Sequence, residues 1–141
     1  MPAHFRTPLT VTGKPPLADG KNWILVTALE YEREDGTILR APAGMHTDGP
    51  SIPPRLESII HQHGSHYLPC IMHDAAYEDQ LESFIGGVWT RTTLDKAACD
   101  KLLWEAMGAV GTPFLERRII FEAVNLAGRE AFDEDRKAAT S

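Results

Sequence analysis

Two periods of hydrophobic spacing divide this chain. In the first half Phe5, Thr7, Leu9 and Val11 alternate with polar or small neighbours, the period of two that marks a half-buried strand. Pro8 inside that run places it at a sheet edge, because proline cannot donate to a ladder. The run from Trp23 to Tyr31 predicts a second strand and Thr37 to Arg40 a third, with Glu34-Asp35-Gly36 as the hairpin turn between them. Ala41-Pro42-Ala43-Gly44 breaks the pattern, and a loop follows from His46 to Pro54.

In the second half the spacing becomes helical. A short helix is expected from Arg55 to about His61, and a second with Pro69 in its first turn, running to about Asp79. Residues 80–92, with Gly86-Gly87, predict a loop. Thr92-Thr93-Leu94-Asp95 resembles a capping box opening a helix to about Val110, with Cys99, Leu102, Leu103, Ala106, Met107 and Val110 as its apolar stripe. Gly111-Thr112-Pro113 stops it, and a last helix runs from Phe114 to about Phe132. Strands followed by helices predict an α+β fold: a small N-terminal antiparallel sheet of three to four strands, then about four helices. One domain spans 1–132, and 133–141 forms a polar, frayed tail.

Composition narrows the function classes. The 141 residues are 43% hydrophobic and 24% charged, an ordinary globular balance, and no apolar run is long enough to span a membrane. The start, Met1 to Arg6, lacks the apolar stretch of a secretory signal, so the expected location is a cytoplasm or a particle assembled there. The net charge of −6, with basic residues adjacent only at Arg117-Arg118 and Arg136-Lys137, argues against nucleic acid as a partner. Two cysteines, Cys70 and Cys99, are too few for a disulfide framework or a thiolate zinc site and read as small buried residues.

The chemistry concentrates in Cys70-Ile71-Met72-His73-Asp74-Ala75-Ala76-Tyr77. Positions 70, 73, 74 and 77 share one helix face, and the remaining positions are apolar or small. The helix is therefore buried, and its His-Asp pair must be hydrogen-bonded or metal-bound. Asp100 lies on the flank of the next helix's stripe, within reach of an inward-facing His73. Asp48 lies in a Gly/Pro-rich loop, a usual place for a metal-binding carboxylate. Three carboxylates around one histidine are costly to bury unless a cation or positive group answers them. The bland alternative is a structural polar network in which Tyr77 and a carboxylate satisfy a core histidine.

Thr47-Asp48-Gly49-Pro50-Ser51-Ile52-Pro53, His73-Asp74-x-x-Tyr77 and Asp100-x-x-Leu103-x-x-x-Met107, in that order, resemble a phage and prophage family known as domain of unknown function thirteen-fifty-three. Pro50 and Leu103 depart modestly from it, where a small residue and an aromatic are common. The resemblance implies a phage origin, hence host cytoplasm or virion, and other phage proteins as partners. A narrower likeness, Cys70-x-x-His73-Asp74-x-x-Tyr77 with Cys99-Asp100, is similar to the core of phospholipases A2. That likeness implies His73 as general base for a water, Asp74 as a calcium ligand, Asp100 orienting the histidine and Tyr77 supporting the network. The glycine- and cysteine-rich calcium loop of that family is missing here.

Independently of either family, a histidine base whose second nitrogen is fixed by Asp100 suits water activation. A hard cation on Asp48 and Asp74 would polarise an ester or phosphoryl oxygen, with calcium or magnesium favoured over zinc by the oxygen ligands. His61, His63 and His66 could, with His73, form a zinc site, but their spacing matches no standard zinc motif and the plainer reading is a polar helix end. His73, Asp74 and Asp100 also resemble the residues of HD-type phosphohydrolases, but those are all-helical and the strands argue against them. Trp23, Trp89 and Trp104 read as core or interface anchors. Phe84-Ile85-Gly86-Gly87-Val88-Trp89 reads either as a cover over the core or as a lid or membrane-facing lip. The expectation is thus a metal-assisted hydrolase of a small-molecule or lipid ester or phosphoester. Its rival is a virion- or tail-associated phage component in which the same residues form a buried knot.

Overall fold

A computed structural model describes residues 2–12, 23–47 and 67–139. The short helix expected at 55–61, Asp48, and the three histidines at 61, 63 and 66 lie outside the described residues. Among the described residues there are eight short strands: β1 (His4–Phe5), β2 (Val11–Thr12), β3 (Trp23–Leu25), β4 (Leu29–Glu32), β5 (Ile38–Ala41), β6 (His46–Thr47), β7 (Glu82–Ile85) and β8 (Val88–Arg91). Four helices are described: α1 (Tyr67–Tyr77), α2 (Lys96–Ala109), α3 (Phe114–Ala127) and α4 (Arg129–Ala139). The strands form two antiparallel sheets, one ordered β1-β4-β5-β7-β8 and one ordered β2-β3-β6. The α+β class holds, with more strands than the sequence pattern predicted.

The two runs read as single strands each switch sheets. Between Leu25 and Leu29 the chain leaves the small sheet for the large one, and the bend is held by the Thr7 hydroxyl, which donates to the carbonyl of Ala28 (3.1 Å) and accepts from the amide of Glu30 (2.9 Å). The apolar run is continuous through the corner, so periodicity alone does not reveal it. Glu34-Asp35-Gly36 makes the expected turn: Gly36 has φ 89°, and the Asp35 carboxylate accepts from the Thr37 amide, which holds its carboxyl below the ordinary range.

Residues 80–92, expected as a loop, form instead the β7–β8 hairpin. Two four-residue strands flank Gly86-Gly87, and both glycines have positive φ (58° and 81°), as a two-residue type I′ turn requires. β7 completes the large sheet by pairing Leu39 with Ser83 and Arg40 with Glu82.

The core lies between the large sheet and α1–α2, from Tyr31, Leu39 and Ala41 on the sheet to Ile71, Met72, Ala75, Ala76, Cys99, Leu102 and Ala106 on the helices. Tyr31 is fully buried, and its hydroxyl donates to Glu105 of α2 (3.2 Å), beside Arg33 Nε at 3.2 Å from the same oxygen. Burial and the Glu105 charge push the Tyr31 hydroxyl well above the usual phenolic range.

α1 and α2 end alike. Gln80 N–H reaches the Ala75 carbonyl and Asp79 N–H that of Ala76, with Asp79 in the left-handed region (φ 57°). Thr112 N–H reaches Met107 and Gly111 N–H reaches Gly108, with Gly111 at φ 78°. Both are Schellman closures, one with aspartate where glycine is usual. The start of α2 differs from expectation: Asp95, not Thr92, is the N-cap, its carboxylate accepting from Ala98 N–H at 2.8 Å.

The last helix is two. Gly128 separates α3 from α4, and a Cβ there would stand 2.3 Å from the Val124 carbonyl and 2.8 Å from the Tyr77 hydroxyl, so only glycine fits. The segment expected as a frayed tail continues as α4 through Ala139. Arg136 anchors it, donating to the carbonyls of Tyr77 (2.9 Å), Ala76 (2.8 Å) and Leu94.

Candidate functional site

α1 and α2 bring the predicted residues together. His73 and Tyr77, one turn apart on α1, both face Asp100 of α2: His73 Nε2 lies 2.8 Å from Asp100 Oδ1, and the Tyr77 hydroxyl donates to the same oxygen at 2.7 Å. A carboxylate only accepts, so Nε2 donates in this bond and the second ring nitrogen, Nδ1, stands outside it. The two α1 rings lie against each other at 4.1 Å between centroids, and Tyr77 meets Phe132 of α4 edge-on at 5.2 Å. The tyrosine is thus held between the histidine, the carboxylate and the Gly128 junction.

Asp100 is 1% exposed and His73 9%. Burial opposes the charge on Asp100, but hydrogen bonds from His73, Lys96 and Tyr77 outweigh it and hold the carboxyl below its ordinary value. Burial, then the bond to Asp100, push the Tyr77 hydroxyl far above its usual range, so it is a fixed donor.

Lys96 was not among the residues singled out from the sequence. Its ammonium lies 2.7 Å from Asp100 Oδ2 and donates to the backbone carbonyls of Val124 (3.1 Å) and Asn125 (3.4 Å), near the C-terminal end of α3. It is a positive group that answers the buried Asp100 carboxylate. The signal was available, since Lys96 precedes Asp100 by four residues on one helix face.

Asp74 turns toward β6. Thr47 Oγ1 donates to Asp74 Oδ2 at 3.3 Å, so the residue immediately before Asp48 touches the second motif. Asp48 itself lies outside the described residues. Among the described residues there is no group of three or more His, Cys, Asp or Glu side chains arranged to hold a metal ion. Both cysteines are free thiols, each pushed up to about 12 by burial and so poor nucleophiles.

The described residues thus form a small α+β protein in which α1 and α2 enclose a buried His73-Asp100-Tyr77 cluster. Residues 23–124 match the model of DUF1353, a family of proteins of unknown function, and the chain belongs to that family. No curated protein and no solved structure matches it. Among the described residues no helix is long and apolar enough to cross a membrane.

Proposed function

We propose that this chain is a hydrolase of an ester or phosphoester, with a phospholipid ester among its candidate substrates. The observation that carries this reading is the 2.8 Å contact between His73 Nε2 and Asp100 Oδ1, which commits one ring nitrogen and leaves the basic Nδ1 to act on a water. His73 Nδ1 takes a proton from that water as its oxygen attacks the carbonyl carbon or phosphorus, and the proton passes to the departing alcohol. Asp100 fixes the tautomer and stabilises the imidazolium that forms; Tyr77 holds Asp100 in place. This division of roles parallels the phospholipase A2 resemblance. A divalent cation, calcium or magnesium, held by Asp74 together with Asp48 would polarise the substrate oxygen.

A specific observation favours a second reading. The Lys96 ammonium already neutralises Asp100, and a paired, hydrogen-bonded cluster is also what a structural knot in a virion or tail component would contain. One set of measurements separates the two. For the enzyme, His73→Ala abolishes turnover of a panel of carboxylic esters and phosphodiesters while the melting temperature changes little. Calcium or magnesium raises the wild-type melting temperature, and Asp74→Ala removes that rise. For the knot, no substrate turns over, no cation shifts the melt, and His73→Ala costs about 1–3 kcal/mol by stranding its buried partners.

A further inference from the structure

The β7–β8 hairpin outruns the sheet that carries it. The ladder between β5 and β7 ends at Ser83, whereas the hairpin's own pairs continue through Phe84↔Trp89 to Ile85↔Val88. Its tip is therefore a two-stranded ribbon with no third strand beside it among the described residues. Phe84, Ile85 and Val88 are 44%, 61% and 62% exposed.

The tip is apolar on both faces. Cross-strand partners share a face and successive residues alternate, so Phe84 and Trp89 lie on one side and Ile85 and Val88 on the other. Phe84 and Trp89 pack together at 5.0 Å, and Arg40 lies over the Trp89 ring at 4.1 Å while bonding Glu82 at 2.8 Å. Exposed Arg91 ends the same strand. From the tip inward the order is aliphatic, aromatic, then guanidinium, the order of hydrocarbon, interface and headgroup in a bilayer.

A flat protein partner would cover only one face of such a ribbon. The tip exposes on the order of 300 Å² of apolar side chain by ordinary residue areas, well short of the roughly 800 Å² that each side of a stable protein pair buries. We propose that the Phe84–Trp89 hairpin is a membrane-insertion element that docks this protein onto a lipid bilayer surface. Ile85 and Val88 enter the acyl region, Trp89 rests at the interface, and Arg40 and Arg91 meet lipid phosphates. The docking does not rest on the catalytic reading of His73.

The test is co-sedimentation of the full chain with vesicles of phosphatidylcholine and phosphatidylglycerol, with brominated lipids as quenchers of tryptophan fluorescence. The expected result is sedimentation with vesicles, quenching in the wild type, and at least tenfold weaker binding of Ile85→Asp/Val88→Asp. Ile85→Thr/Val88→Thr keeps strand-forming side chains and should weaken binding to a lesser degree. Its far-ultraviolet spectrum and melt should match wild type. Equal binding by wild type and both variants, or no binding by any, overturns the proposal. So does a concentration-dependent dimer that the substitutions abolish without any effect of vesicles.

Discussion

Lys96 carries the charge that makes Asp100 tolerable in the core. Removing it takes away the ammonium partner of a buried carboxylate, so Lys96→Met should cost about 3–5 kcal/mol, the usual penalty for breaking a buried pair. Adding Asp100→Asn should recover part of that loss in urea titrations, because the second change removes the stranded charge. Asp100 also sets a pH dependence. Its folded-state carboxyl lies below the ordinary 3.8, so its stabilisation is complete above that value and is lost as pH falls through the folded one. Wild type should therefore lose stability relative to Asp100→Asn below about pH 4, the reverse of any trend caused by deprotonation. A narrowing gap on raising the pH instead would contradict this assignment. His73 and Tyr77 were legible because helical spacing puts them on one face of α1, and Asp100 because it flanks the apolar stripe of the next helix. Lys96 stayed hidden because lysine is by habit a surface residue, and only its partner's burial marks it as internal.

Helix ends carry what periodicity conceals. Arg136 donates to the last carbonyls of α1 and to Leu94 just ahead of α2, so one side chain of α4 fastens both helices that hold the site. Arg136→Ala should cost about 2–3 kcal/mol, as charged donors to buried carbonyls do, and ending the chain at Phe132 should cost no less. A truncation at 132 that melts like wild type would show that α4 is the dispensable tail its composition resembles. The polar run after Phe132 gave no hint of docking, because the signal is one arginine among acidic and small residues. Gly86-Gly87 between two four-residue runs was a readable hairpin signal. It was obscured because the tip is apolar on both faces and so shows no alternation. The Pro69 start of α1, the Glu34-Asp35-Gly36 turn and the Gly111 stop were legible because each rests on a single residue's backbone preference.

Taken as a whole, the molecule is fastened at long range in sequence. Tyr31 and Arg33 clamp β4 to Glu105 of α2, and Thr47 ties the small sheet to Asp74 of α1. The His73–Asp100 pair is then braced from the C-terminal side, where Lys96 binds carbonyls of α3 and the Gly128 junction closes over Tyr77. Chains emerge from the ribosome N-terminus first. The sheet and both site helices are therefore synthesised before the segment that braces them, and a nascent chain stalled ahead of residue 124 holds His73 and Asp100 without the carbonyls that complete the Lys96 bridge. The cluster is finished only after α3 and the Gly128 junction have been synthesised, so a growing polypeptide carries its parts well before it carries the assembled site.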